Sequence, residues 1–512
     1  SRAAFPPPRG TMGATRGARL ATCLCPFGSN RDVRGLYHAM PGRFILGFSA
    51  IFFNVAILAL ANREAGCAPR EPCDGRVYGV RPSSILAVLY TVSGLASAFA
   101  MPYVGAIIDH TPHRRAFGAS AAAVLTAVNA VLVALFDSTW FAMLLVQAIV
   151  GAVSFEAVAA STLAYVNELT QAPDNLHAIL TTGRVWELLG TVSYVALTAA
   201  VSVGLGLDAV GAGRLGQGVA ALAGGPLLLR GYALLSDRPA LHAGEGAEDR
   251  RLGRLLATAW CDLFATVRTL WRERRHVISA AAGVAFTDGA GVSITALAVT
   301  YLTEQLGLSG TEIAVLLLIA LIAAVPGAFV HGVVVRRIGQ VHNLHLCNAS
   351  QASAVALTVI VLRGPEDAAL APIFGCCLGF ASGWAVPAVS ALWAAIAPLG
   401  REAEMWGWLT LASASLTWLP PLTFAAVNES VGNLRPALAT LIAYLLVSSA
   451  FIALVPRSAL RAGDAYERST RGRLHAMSPD ASKGDEGSTQ VALGPPEAAA
   501  PASAVAPGAA PA

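Results

Sequence analysis

Apolar runs of about twenty residues, broken by short polar or basic segments, fill the chain from residue 44 to residue 455. Lipid offers no partner for backbone N–H and C=O groups, so a segment crossing the roughly 30 Å hydrocarbon layer must be a helix of about 20 apolar residues. The pattern predicts twelve such helices, near 44–62, 83–108, 116–136, 140–165, 184–205, 215–235, 277–303, 312–335, 342–362, 369–397, 406–427 and 435–455. The sixth and ninth are the weakest. The expected fold is an all-α membrane protein with twelve transmembrane helices in two six-helix bundles. A basic tail (1–43) would precede the first bundle (44–235). A connector (236–276), the second bundle (277–455) and a disordered Ala/Pro-rich tail (456–512) would follow.

Composition strengthens this picture: 55% of residues are hydrophobic and 13% charged, with a mean hydropathy of +0.59, unlike a soluble globular chain. Most of the 35 Lys and Arg residues fall in segments 1–43, 109–115, 236–276, 336–337 and 457–483, which alternate to one side. Short translocated loops shed such residues, so both termini are expected in the cytoplasm. The arginine-rich start, with no acid before Asp32, fits either a cytoplasmic tail or an organellar transit peptide. No single basic face forms, which argues against a nucleic-acid partner. The expected partners are the bilayer and a small solute, and the chain is expected to act as a monomer.

The connector carries Leu252, Leu255, Leu256, Leu263, Val267, Leu270 and Trp271 near one helical face, with arginines largely elsewhere. Such a helix lies along the headgroups or packs beneath the bundle. Cys67 and Cys73 share the first non-cytoplasmic loop and form either a small disulfide or two free thiols.

Gly105-Ala-Ile-Ile-Asp109-His-Thr-Pro-His-Arg114-Arg115 follows the second span. Gly332-Val-Val-Val-Arg336-Arg337-Ile-Gly339-Gln340 repeats its outline after the eighth, half the hydrophobic body away. The recurrence points to a duplicated six-helix unit. Gly105 would allow close helix approach, Asp109 would cap or pair at the membrane edge, and Arg114 and Arg115 would exchange partners between two conformations. Position and outline resemble the loop signature of the major facilitator superfamily, with Arg336 in place of the acid in the second copy.

Further stretches are similar to the vacuolar-effluxer family of that superfamily, the group related to autophagy-linked amino acid exporters. They are Phe286-Thr-Asp288-Gly289, Leu306-Gly-Leu-Ser-Gly-Thr-Glu312, Pro326-Gly-Ala328, Glu404-Met-Trp-Gly407 with Leu411, and Pro421-Leu422, supported by the spacing of Gly183 and Gly190. Ser413-Ala414 stands where the family often has Gly-Lys, and Glu187 where a small glycine is usual. The resemblance implies export of amino acids from an acidic vacuole or similar compartment into the cytoplasm.

Ionisable residues inside spans are costly and are functional candidates by default. Glu156 and Asp288 qualify, the second beside Gly289, where a helix break would free carbonyls for a ligand. Either carries the coupling proton, or each pairs with a neighbouring polar group and fixes packing. Arg184 and Glu187, one turn apart, form an intrahelical pair or join Glu168 and Asp109 in a cytoplasmic gate. Trp384, Trp393, Trp406, Trp408 and Trp418 read as packing or interface anchors, and Ser413, Ser415 and Thr417 as helix contacts. The sequons at Asn348 and Asn428 are poorly placed for glycosylation.

No His-x-x-x-His or Cys-x-x-Cys spacing, phosphate-cradling loop or catalytic triad motif appears in the spans. His342 and His345 are three apart at the start of the ninth span, a spacing compatible with metal binding, and with no carboxylate or third His close in sequence they read as headgroup-facing. No enzyme activity, metal or cofactor is expected. The expected mechanism is alternating access by a secondary transporter, with release driven by a proton gradient. The rival readings are a transporter of the same fold for a sugar, nucleoside or drug-like cation, and a non-transporting receptor.

Overall fold

A computed structural model describes residues 30–67, 75–169, 173–238, 252–396 and 411–456 of the chain. Both tails, Cys73, Glu404–Gly407, Trp406, Trp408 and the side chain of Glu168 lie outside the described residues.

Asn30, whose side chain accepts from the Asp32 N–H, caps the first helix. This helix, Arg31–Phe48 (α1), runs through Ser49 into Ala50–Glu64 (α2) as one 34-residue stretch. It therefore starts well before the apolar run expected at 44, and Arg43 falls inside it. Next come Pro82–His110 (α3) and Arg114–Val131 (α4). Trp140–Val146 (α5) continues through a π-helical turn into Ala152–Leu169 (α6). Pro173–Gly204 (α7) begins before its apolar stretch Thr182–Gly204, which agrees with the span read at 184, so Arg184 and Glu187 lie mid-helix but near the start of that stretch. Ala209–Leu234 (α8), Leu252–Glu273 (α9) and Arg275–Thr300 (α10) follow. Gly310–Val361 (α11), Ala371–Ile396 (α12), Leu419–Val431 (α13) and Leu434–Ala453 (α14) complete the order. Among the described residues, nine helical stretches are long and apolar enough to cross a membrane.

The 52 residues of α11 are two helices. Gly339 adopts φ 79°, ψ 171°, open to glycine without strain. Asn343 Nδ2 meets His331 Nδ1 at 3.0 Å, although twelve residues of straight helix would span about 18 Å. The chain therefore turns back around Gly339. The segment Leu306–Glu312 is a turn joined to a cap. Gly307 takes φ 67°, and Ser309 with Glu312 forms a capping box at the start of α11.

Helices meet closely where side chains are small. A Cβ on Gly42 of α1 would stand 2.6 Å from the Leu228 N of α8 and 2.8 Å from the Gly224 carbonyl. Gly379 and Gly383 of α12 rest on the backbone of Ala320 and Ala324 in α11, and Gly327 on the Phe380 carbonyl. Gly105 differs from its expected role: no described atom lies within 4 Å of where its Cβ would stand.

Two buried hydroxyl–amide triads lock three helices each. Ser49 Oγ lies 2.8 Å from Asn129 Oδ1 and 3.2 Å from Gln217 Oε1, and Gln217 Nε2 donates to the Ser49 carbonyl at 3.2 Å, joining α1, α4 and α8. Thr287 Oγ1 lies 2.7 Å from Ser448 Oγ and donates to Asn348 Oδ1 at 3.1 Å, while Asn348 Nδ2 donates to Ser448 Oγ at 2.9 Å. This second triad joins α10, α11 and α14. Because lipid competes poorly for hydrogen bonds, each bond contributes, by order of magnitude, about 0.6 to 1.7 kcal/mol. Asn348 is 1% and Asn428 2% exposed, so neither sequon presents an accessible side chain.

The α9 helix packs against the flank of α3, with the Trp260 and Phe99 rings 6.0 Å apart. Phe99 lies eleven residues before the end of α3, about 16 Å along the helix. Phe264 and Trp271 remain exposed.

Candidate functional site

The Phe155 ring sits where Gly47 leaves room, since a Cβ there would be 2.6 Å from it. Against that ring lies Arg43 of α1. Its guanidinium carbon is 4.8 Å from the ring centroids of both Phe155 and Phe44, within cation–π range. Glu156, next to Phe155, and Glu187 of α7 supply the opposing charge, and Arg184 a second positive one. Arg184 Nη1 bonds Glu187 Oε2 at 2.6 Å and lies 5.7 Å from the Phe44 ring. Glu187 is 3% exposed, and its Oε1 is buried without a hydrogen-bond partner. Among the described residues neither Arg43 nor Glu156 makes a hydrogen bond or an ion pair within 4 Å. The cluster thus balances two arginines against two glutamates while leaving the donors of Arg43 and the acceptors of Glu156 unused.

Asp288 on α10 is held differently. Ser413 Oγ donates to its Oδ2 at 2.5 Å, and among the described residues no cation lies within 4 Å of it. No helix break frees carbonyls at Gly289: α10 is continuous, and the Gly289 carbonyl accepts from Ser293 Oγ at 2.7 Å. Gly289 instead permits close approach, its Cβ position being 3.3 Å from the Leu416 carbonyl. Ser413 therefore does more than fill a helix contact, whereas Ser415 and Thr417 bond carbonyls three residues back. Trp384 and Trp393 are buried packing residues, with Trp384 Nε1 donating to Asn343 at 3.1 Å.

At the end where α1 begins, Arg115 donates to Asp237 Oδ2 (3.0 Å) and to the Tyr232 carbonyl (3.1 Å), tying the start of α4 to the end of α8. Arg114 is 1% exposed, donates to the Ile108 carbonyl at 3.3 Å and faces the Tyr165 ring at 5.6 Å. Asp109 ends α3 among partners of its own. In the second copy Arg336 bonds only back to the Gly332 carbonyl, at 2.7 Å among the described contacts, and both Arg336 and Arg337 are exposed.

The opposite end carries cross-connections between early and late helices. Asn62 Nδ2 donates to Glu304 Oε1 at 2.7 Å. The Arg81 N–H donates to Glu429 Oε1 at 2.8 Å, Arg76 pairs with Glu429 at 3.5 Å, and Asn428 Nδ2 bonds Ser83 and Ser84. Cys67 at this end is disulfide-bonded. Among the described residues no group of three or more His, Cys, Asp or Glu could hold a metal ion.

Sequence reasoning missed Arg43, the latch around Glu429 and both triads. Only the recurrence of Ser, Thr and Asn inside apolar spans signalled the triads.

The family model described as vacuole effluxer Atg22 like matches residues 174–462. Among solved structures, a point mutant of the nucleoside transporter NupG is similar, with a TM-score of 0.57 and 14% identity over 83% of this chain and 100% of that one. The unmutated NupG structure gives a TM-score of 0.55 and 13% identity over 82% of this chain and 98% of that one. At that identity the likeness concerns the fold. No curated protein matches the chain. The fold is that of a transporter, and the chain is a multi-pass integral membrane protein that moves a small solute and is not an enzyme. It belongs to the vacuole effluxer Atg22-like family.

Proposed function

We propose that this transporter exports amino acids from a vacuole-like compartment to the cytoplasm by alternating access, with Asp288 carrying a coupling proton. The observation that carries the reading is the placement of ionisable groups near the middle of helices from both parts of the chain. Arg43, Glu156 and Glu187 lie in the early helices and Asp288 in the late ones. Charges at that depth are too costly to persist without use.

The remaining elements supply a mechanism. The two triads occupy the first, third and sixth spans of each part in the twelve-helix reading, as a duplicated six-helix unit would have it. The bonds around Glu304 and Glu429 close one face, which the arginine distribution assigns to the compartment lumen. Arg114 and Arg115, with Asp109, would border the cytoplasmic side of the path, and the Arg184–Glu187 pair its inner end. Rocking of one bundle against the other would break the latch and expose the mid-membrane charges to the lumen, where solute and proton enter.

The test is efflux from sealed vesicles holding purified protein, loaded with labelled amino acids or nucleosides at acidic luminal pH. Saturable amino acid efflux that quickens as the lumen is acidified supports the proposal. Efflux no faster than from protein-free vesicles, or movement of nucleosides alone, overturns it.

A further inference from the structure

Arg43 is a guanidinium deep in a helix bundle with two aromatic faces against it and no hydrogen bond to any described residue. Packing alone does not need such a group. An arginine serving structure spends its donors on carbonyls and carboxylates, as the one-third-exposed Arg115 does on the Tyr232 and Ala233 carbonyls and Asp237. The planar rings instead fix the orientation of the guanidinium and leave its edge available. That edge is the part that binds a carboxylate through two parallel N–H···O bonds.

Glu156 supplies the complement. It acts on Arg43 electrostatically, yet no ion pair within 4 Å joins the two. Glu187 is already bonded to Arg184 and buried, so it sets the local charge balance and does not compete for a solute. With two positive and two negative groups, the cluster is electrically neutral. A monocation or monoanion entering it would leave one unit of charge uncompensated in a poorly solvated space, whereas a solute bearing both signs would not.

We propose that Arg43, held between Phe44 and Phe155, binds the carboxylate of a zwitterionic solute and that Glu156 takes its ammonium group. The pair thereby selects α-amino acids as a class and leaves the side chain to be read elsewhere. The proposal rests on the export reading for its physiological meaning and on the local geometry for its chemistry.

Counterflow of labelled leucine into proteoliposomes carrying the full chain tests it, with leucine, leucine methyl ester and N-acetyl-leucine as competitors. The ester lacks the anion and the acetyl compound the cation. Each should compete at least about tenfold more weakly than leucine. Arg43→Gln should raise KM about tenfold or more, and Arg43→Lys should fall between, since it keeps the charge and loses the fork. The competitor series uses unaltered protein, so a folding defect in a variant cannot mimic the result.

An ester within about twofold of leucine, or a well-folded Arg43→Gln protein with KM within about twofold of the parent, overturns the assignment. If the parent protein moves no amino acid, the export reading fails separately. Melting of the purified protein with millimolar leucine or its ester then decides the site. Stabilisation by leucine alone, absent in Arg43→Gln, upholds it; equal shifts or no shift refute it.

Discussion

The early helices, α1 to α8, and the late helices, α10 to α14, share a scaffold and differ in chemistry. Each part knits three helices with a hydroxyl–amide triad, Ser49–Asn129–Gln217 in one and Thr287–Asn348–Ser448 in the other. The early part also carries a cluster of four charged side chains and two phenylalanine faces. Beside the second lies one carboxylate held by one hydroxyl. Scaffold similarity reflects what lipid demands of any helix bundle: close small-residue packing and satisfied polar groups. The chemical difference suggests a division of labour, with the solute recognised by the early part and the proton handled by the late part.

The largest effect that would sharpen this comparison is steric. Gly42→Ala forces a methyl against the Leu228 backbone, which cannot yield. It should destabilise by about 3 kcal/mol, the upper end for overpacking. Gly283 occupies a similar contact between α10 and α14, but its nearest neighbour is the flexible Ile452 side chain. Gly283→Ala should therefore cost about 1 kcal/mol. Melting temperatures of the purified variants check the order, and a larger drop for Gly283→Ala would contradict it.

Next comes the scaffold itself. Asn129→Leu removes one of two amides from the first triad and Asn348→Leu the single amide of the second, and each should cost about 1 to 2 kcal/mol. Similar melting shifts in the two variants fit matched triads. A shift in one alone breaks the equivalence.

A smaller effect is expected at the latch. Glu429→Ala removes the acceptor for the Arg81 N–H and the partner of Arg76, whose side chain is 55% exposed. The loss is about 1 kcal/mol, or about fivefold in the open population. Faster modification of a cysteine placed at Val55, buried beside Gly310, would report it in a background with Cys23, Cys25, Cys261, Cys347, Cys376 and Cys377 replaced by serine. An unchanged rate would remove Glu429 from the gate. Asp288→Asn should change stability least, because the amide oxygen can still accept from Ser413, and should act on proton coupling alone.

Much of this molecule was legible in its sequence. Apolar run length locates the helices because lipid enforces it, and Ser309 with Glu312 announces a helix start through capping chemistry. Asp288 and Glu156 stand out because charge is rare in spans. Arg43 did not stand out, because it follows a basic tail where an arginine ends a span under the positive-inside pattern. Only the fold brings Phe155, Glu156 and Glu187 to it from more than a hundred residues away. Gly105 misled in the opposite direction: its motif suggested a close helix contact, and no described neighbour comes near it. The triads escaped because single Ser, Thr and Asn residues in a helix carry no spacing signature.

The most direct test of the division between the two parts is amino acid efflux as a function of luminal pH in the parent protein, Arg43→Gln and Asp288→Asn. The account predicts that Arg43→Gln raises KM and keeps the acceleration by acid, while Asp288→Asn keeps KM and flattens the pH dependence. Both substitutions moving the same parameter, or Asp288→Asn retaining the full response to acid, would contradict it.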